Sequence, residues 1–467
     1  MKHPYTWFPG MACLLLVAAS SARAEYNHPG IFSSQAELEH MKAMVGASAI
    51  TPMKQGWDKL RTWGNASLNY ANKPEVTVAV VAGAVGPSEQ NFRDASHAAY
   101  AQALQWVVTG DVRYRDKGLS ILNGWGSIFK GMTNLDNRQQ DLEAAWALPT
   151  WVAAAEIFRR YDKGSAGWAA ADIAKFEAML DVLTGYAVYT ITPRKMTNNW
   201  GTSSALALMA VGVFEDDTAK FNTGMNYLDV LLPFTVEKTG LLMETCRDCN
   251  HAEYNLLGMM AAAEIAWKQG IDFYGRKLDG QTTPRLLMGM EFHAAAFLGK
   301  PLNVGQACGA VSCSGEDKHA GGWEMAYNHY HNRMSIPAPT TTTFVTTQNR
   351  PDGLSEDHFT GWTSLTHGDL GNFPNPIAIR QGEIGTYDRS RRGGPEWMMT
   401  RNGAEMSLRY RLNAAHGAVK PRRVDIFSTE GRNLFSTRLD ASSWEILIPV
   451  PEAADMGMGP CLFRLRP

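Results

Sequence analysis

Three things are scarce in this sequence, and each scarcity excludes something. Charge of one sign is absent, since 44 Lys and Arg stand against 46 Asp and Glu for a formal net charge of -2. Binding nucleic acid by bulk charge needs a basic surplus to neutralise phosphates, so that class is excluded, although a local basic cleft is not. Long apolar runs are missing after residue 19, and a membrane helix needs about 18 or more consecutive apolar residues, so no span is expected. Cysteine is sparse, with six in 467 residues, and Cys246-x-x-Cys249 is the only C-x-x-C, so a two-knuckle zinc module is excluded.

What is present at the N-terminus is a leader pattern. Lys2 and His3 precede the apolar run Met11–Ala19, and Ala22-Arg23-Ala24 matches an A-x-A cleavage site. Residues 1–24 are therefore expected to be a signal peptide and the product to be secreted or periplasmic. Export permits disulfides. Cys13 would leave with the leader, so Cys246, Cys249, Cys308, Cys313 and Cys461 remain, an odd set, and a bridge between Cys308 and Cys313 is expected across a short Gly/Ser-containing loop. With 45% hydrophobic and 19% charged residues the composition is that of a globular protein.

From about residue 33 to 300 apolar residues recur at three- and four-residue steps, as in Leu142, Ala145, Trp146, Val152, Ala153 and Ile157. Gly and Asp clusters such as Thr109-Gly110-Asp111 separate these stretches. A series of helical hairpins must stack to bury its faces, which predicts a mainly α fold, an α-solenoid or a closed (α/α) toroid, and a toroid, complete or incomplete, puts its site in the central cleft. The segment 336–350, with Pro337, Pro339 and Thr340–Thr343, reads as extended or loop. Alternating residues from Arg422 onward predict short strands. The expected organisation is a toroid over 25–370, a loop-rich linker over 371–419 and a small C-terminal β appendage over 420–467.

Two polar islands interrupt the helical pattern. In Glu244–Tyr254 a helix would align Arg247, His251 and Tyr254 on one face, because steps of four and three stack side chains over about two turns. The stripe runs on into Leu256, Leu257, Met259 and Met260, so burial is expected. The second island, Thr197-Asn198-Asn199-Trp200-Gly201, precedes a helix; one Asn serves as an N-cap, and the second invites another role.

These motifs carry a resemblance. His28-Pro-Gly-Ile-Phe, Gln139-Gln140-x-x-Glu143-x-x-Trp146, Asn198-Asn199-Trp200, and Arg247-x6-Tyr254 followed by Ala-Glu-Ile-Ala-Trp-x-Gln-Gly resemble the alginate lyase superfamily of polysaccharide lyases over roughly residues 27–370. Within it they are similar to the group that includes glucuronan and mannuronan lyases. The resemblance implies an α/α toroid that cleaves uronate polymers by β-elimination, with a Tyr as base and acid and with Asn, His and Arg neutralising the uronate carboxylate. The chain departs from the family pattern at Trp200, where many members have His.

The chemistry of elimination agrees with this assignment. The C5 proton beside a carboxylate is a very weak acid until donors withdraw the carboxylate's charge. Asn199 and His251 suit that task. A phenol with a reference pKa of about 10 needs a nearby positive charge to act as base, and Arg247 supplies one to Tyr254. In β-linked glucuronate or mannuronate the C5 proton and the leaving O4 share a face, so one Tyr serves both. Candidate sugar contacts are Asn198, Trp200, Gln139, Gln140, Glu143, His97, Tyr100, His329, Tyr330 and Arg333. No metal or cofactor is required, and the expected partner is an acidic polysaccharide bound by a monomer.

Three other readings compete. Cys246, Cys249 and His251 supply three zinc ligands without a fourth. A glycoside hydrolase would draw its paired carboxylates from Glu244, Asp248, Glu253 and Asp94. A non-catalytic polysaccharide-binding protein would use the aromatic residues alone.

Overall fold

The computed structural model describes residues 26–81, 85–134, 138–300, 302–303, 310–311, 313, 321–354, 361–371 and 373, together with the backbone of strands between 396 and 466. The expected signal peptide lies outside the described residues. The chain divides into two units, Met1–Ile384 and Gly385–Pro467.

The first unit is built from helices α1 (Gln35–Gly46), α2 (Pro52–Thr62), α3 (Pro87–Thr109), α4 (Val112–Ile128), α5 (Gln139–Arg160), α6 (Ala170–Ile191), α7 (Asn199–Phe214), α8 (Thr218–Thr235), α9 (Cys249–Lys268) and α10 (Arg285–Phe297). Starts and stops follow the local chemistry. Asp111, Asn198, Asp217 and Asp248 cap α4, α7, α8 and α9 with their side chains. At the other end of α3, Gly110 at φ 68 takes the left-handed turn that releases the chain into α4.

Burial separates two layers. In α7 every residue from Gly201 to Phe214 is buried, and in α5 every residue from Gln140 to Phe158. A helix buried all round belongs inside. By contrast α6 buries one stripe, Phe176, Met179, Leu180, Leu183, Thr184 and Ala187, whose three- and one-residue steps mark an outer helix. Inner helices α3, α5, α7 and α9 pack side by side in that order, while α4 packs on α6 and α8 covers α7. Gly212 and Gly224 let α7 and α8 meet, since a Cβ would lie 2.4 Å from Phe221 N at the first and 2.4 Å from Ala205 O at the second. The helices alternate in direction along the chain, so the inner four run parallel and their N-termini share one end. This is the toroid that the resemblance implies, one of the two stackings that the periodicity allows.

Two features tie the ends of this unit to its centre. The segment before α1 lies along α5 and α9: Asn27 donates to Gln269 Oε1 at 2.9 Å, and His28 bridges Glu156 at 2.6 Å and Asp216 at 3.0 Å. Behind it, Glu37 of α1 and Glu264 of α9 share Lys268 at 2.6 and 2.5 Å and Arg333 at 2.9 and 3.0 Å, all buried. Arg333 ends a π-helical turn, His329–Arg333, that continues α11 (Trp323–Asn328).

The segment 336–350 differs from its expectation. It forms α12 (Pro339–Phe344) and a π-helical turn, Val345–Asn349. Pro339 sits in the first turn, where its missing N–H costs nothing, and the Thr340 and Thr341 amides donate to Glu291 at 3.1 and 2.7 Å. Thr342, Thr343, Thr346 and Thr347 each return their hydroxyl to the carbonyl four residues back, so a β-branched run is held helical. A short α13 (Thr363–His367) follows.

Small sheets complete the elements. In the first unit β1 (Thr77–Val80) pairs parallel with β2 (Gly131–Asn134), and β3 (Leu302–Asn303) antiparallel with β4 (Ala310–Val311). The second unit has two antiparallel three-stranded sheets: β5 (Glu396–Asn402), β6 (Glu405–Arg411) and β9 (Glu445–Ile448) in order β5-β6-β9, and β7 (Arg423–Phe427), β8 (Asn433–Arg438) and β10 (Leu462–Arg466) in order β10-β7-β8. Strands therefore begin at Glu396, inside the expected linker 371–419, and β5 and β6 form a hairpin closed at Asn402↔Glu405.

Removing Arg333 leaves Glu37 and Glu264 with Lys268 as the remaining full cation, so Arg333→Ala should destabilise the fold by about 3–5 kcal/mol in chemical denaturation, and an unchanged midpoint would refute this role. His28 gives a pH signature. Burial opposes its charge, yet Glu156 and Asp216 outweigh burial and raise its pKa to about 9. The unfolded value is about 6.5, so the stabilisation is complete below that pH and is lost as pH rises through 9. His28→Gln should lower the melting temperature at pH 6 and leave it nearly unchanged above pH 9.

Candidate active site

The inner helices open with polar first turns at their shared end. At α9, Asp248 caps the helix by accepting from the His251 amide at 2.7 Å, and its carboxylate also binds His251 Nδ1 at 2.7 Å. Burial would raise the Asp248 pKa, but the His251 hydrogen bonds and the Arg247 charge bring it below the usual value. An ionised Asp248 accepts a proton-bearing Nδ1, which leaves Nε2 as the free edge of the ring. Arg247 is not on the helix face expected for it, because the cap at Asp248 ends the preceding turn. It lies beside the cap, 3.5 Å from Asp248 and 3.5 Å from Glu244, with 55% of its side chain exposed.

Tyr254 stands one turn deeper in α9. Its ring meets His251 edge-on at 5.5 Å and Trp146 of α5 edge-on at 5.9 Å. The phenol is half-buried between an imidazole and an indole.

At α7 the two asparagines have separate tasks. Asn198 is the cap and accepts from the Trp200 amide at 3.3 Å. Asn199 is fully buried and clamps Glu244, donating its amide at 2.9 Å and its carboxamide Nδ2 at 3.1 and 3.0 Å to the two carboxylate oxygens. Its Oδ1 is buried without a partner. Glu244, which the sequence marks only as a candidate carboxylate of the hydrolase reading, thus joins α7 to the Arg247 turn. No local pattern marks it, since its partner lies 45 residues away.

The wall behind Tyr254 is ionic. Arg93 of α3 lies over Trp146 at 5.4 Å and holds Glu89 at 2.9 Å and Glu143 at 2.8 Å. Burial and the neighbouring Glu143 charge raise the Glu89 pKa to about 8, so this group carries a shared proton near neutrality. Glu143 is fully buried and committed to Arg93, which removes it from the candidate sugar contacts. Gln140 is buried as well, and Gln139 is half-exposed at the start of α5. His97 is buried, and burial with the Arg93 charge lowers its pKa to about 3, so it is neutral. Burial raises the pKa of Tyr100, only 2% exposed, out of the working range of a base.

Three expected substrate contacts are placed elsewhere. His329 is buried against Tyr274 at 4.1 Å and Trp267 at 4.6 Å, the Tyr330 hydroxyl donates to the Tyr274 carbonyl at 2.9 Å, and Arg333 belongs to the Glu37–Glu264 cluster. A polar, aromatic run is a poor guide to exposure when ion pairs satisfy it internally.

The cysteines are corrected too. Cys313 bonds Cys249, at the start of α9, and not Cys308. Cys246 is also disulfide-bonded. Neither member of the C-x-x-C therefore supplies a thiolate to zinc. The hydrolase reading loses three of its four acids: Glu244 is held by Asn199, Asp248 by His251, and buried Glu253 accepts from Trp323 Nε1 at 2.9 Å. A separate groove of about 970 Å³ opens between residues 64–75 and the start of α3, lined in part by Tyr70, Lys73, Asn91 and Asp94.

Comparison with known proteins agrees with this fold. Alginate lyase A1-III from Sphingomonas species A1 matches at 13% identity with a TM-score of 0.53, covering 72% of this chain and 97% of that one. Its histidine-to-alanine variant complexed with tetrasaccharide matches at 14% and 0.55, with 72% and 97% covered. A tyrosine-to-phenylalanine variant of the same enzyme, also complexed with tetrasaccharide, matches at 14% and 0.55, with 72% and 96% covered. No curated protein sequence matches the chain significantly. The alginate lyase family model matches residues 47–300, more than half of the sequence, and so the chain belongs to the alginate lyase family and is a polysaccharide lyase.

Proposed function

We propose that this lyase cleaves β-1,4-linked uronate polymers, polyglucuronate or polymannuronate, by β-elimination with Tyr254 as base and acid. The observation that carries the reading is the chain of contacts where α9 begins, from the half-exposed Arg247 guanidinium through Asp248 to the His251 imidazole and on to the Tyr254 ring. In this reading the uronate carboxylate is gripped by Arg247 and by the free Nε2 edge of His251. Asn199 spends its donors on Glu244 and thereby keeps that carboxylate beside Arg247.

The steps balance without a cofactor. Charge withdrawal from the carboxylate acidifies C5–H and stabilises the aci-carboxylate that forms. The Tyr254 phenolate, with Arg247 as the cation that favours it, takes the C5 proton. Electrons move into a C4–C5 double bond as the C4–O4 bond breaks, and the Tyr254 proton passes to O4 on the same face. Trp146 fixes the Tyr ring from α5 and excludes water from one edge.

We also place the reaction in an oxidising compartment, the periplasm or outside the cell. The A-x-A pattern before Glu25 and the Cys249–Cys313 disulfide support this. All the residues invoked come from one chain, so a monomer suffices.

Incubation with polyglucuronate and polymannuronate should generate the ultraviolet absorbance of an unsaturated uronate. Polyguluronate, whose C5 configuration separates base from acid, should react poorly. Tyr254→Phe should lower kcat by about 1000-fold or more while polymer binding and melting temperature persist. Reducing ends without the chromophore, or full activity in Tyr254→Phe, would refute the proposal.

A further inference from the structure

Beside the reaction centre the chain carries a second cation that the sequence motifs do not mark. Arg194 lies in the segment joining α6 to α7, and its guanidinium sits 4.7 Å from the centre of the Trp200 ring. Trp200 is in the first turn of α7, next to Asn199. Arg194 reaches across to Asp141 in the first turn of α5, but only at 3.7 Å, and its Nη1 makes no hydrogen bond among the described residues. Asp141 is already taken, because Arg138 binds both of its oxygens at 2.8 and 2.9 Å. Among the described residues Arg194, whose Nη1 is buried, is thus the second cation on a carboxylate whose two oxygens Arg138 already holds.

This arrangement is unlike a structural ion pair. A guanidinium held for stability forms short, paired hydrogen bonds, as Arg138 does here. Arg194 is instead kept flat by stacking on an indole, a contact that orients its plane without consuming its donors. About a quarter of the side chain is exposed. It stands at the end of the inner helices where the N-terminal amides of α5 and α7 add positive potential, so an anion is favoured there.

We propose that Arg194, stacked on Trp200, forms a subsite for the carboxylate of a uronate unit adjacent to the one being cleaved. The proposal rests on the uronate reading above and adds a residue to it. Arg194 contributes uniform binding, equal in ground and transition states, because its carboxylate is not the one whose charge changes in the reaction. Its loss is therefore felt in KM.

The test compares Arg194→Gln and Arg194→Lys with the unmodified enzyme on polyglucuronate and polymannuronate. Arg194→Gln should raise KM about tenfold or more with kcat within about threefold, and the increase should shrink as salt screens the wild-type advantage. Asp141 keeps Arg138, so melting should shift by no more than about 2 °C. Arg194→Lys, which keeps the charge but loses the planar stack, should fall between the two and carries the test if the Gln variant folds poorly. An unchanged KM in either variant, or a collapse of kcat at constant KM, would overturn the subsite. If the unmodified enzyme yields no unsaturated product from any uronan, the proposed function fails instead, and the two failures are distinguishable.

Discussion

The parallel run of the inner helices is the constraint on which everything else depends. Because α3, α5, α7 and α9 alternate with outer helices joined by short turns, their N-termini arrive at one end. Each brings unsatisfied amides, and two bring a side-chain cap, Asn198 at α7 and Asp248 at α9. The apolar bodies below are fully buried and cannot host a polar substrate. The chemistry is thereby confined to the first two turns, and those turns hold Asn199, Trp200, His251 and Tyr254.

That end is not uniformly positive, which matters for the polyanionic substrate proposed for a nearly neutral protein. Glu244 and Asp248 sit within the site and are each satisfied, one by Asn199 and one by His251. They orient the cations instead of repelling the ligand alone. Arg247 lies between them at long range and keeps its exposure. The buried Glu37, Glu264, Lys268 and Arg333 cluster does the opposite work, with short contacts and no exposure, and ties the first helix to the late segment. Two arginines of similar sequence appearance thus differ in function because one is saturated and the other is not.

Much of this was legible in the sequence, and the rest was hidden for physical reasons. Helical periodicity leaves a solenoid or a toroid and the family motifs point to the toroid, while α7 and α9 show themselves as polar openings on apolar runs. Arg247 was expected on the α9 face because spacing was visible, while the Asp248 cap that excludes it depends on backbone geometry. Cys313 was paired with the nearest cysteine along the chain, yet the fold brings Cys249 to it over 64 residues. His329, Tyr330 and Arg333 looked exposed because they are polar, and their partners Tyr274, Glu37 and Glu264 are distant in sequence. Strands β5 and β6 are rich in Arg, Met and Glu, poor strand signals, so their hairpin passed for a linker. Glu244 and Arg194 had no local pattern and became visible only through Asn199 and Trp200.

The central claim is that Tyr254 addresses C5 of a uronate whose carboxylate is held by Arg247 and His251. The most direct measurement is a crystal structure of the Tyr254→Phe protein soaked with an uncleaved β-linked uronate tetramer. The account predicts a carboxylate within hydrogen-bond distance of Arg247 and His251 Nε2, with the Phe ring edge facing C5 and O4 from one side. A sugar bound with its carboxylate turned away from both residues, or with C5 facing no side chain of α9, would contradict it.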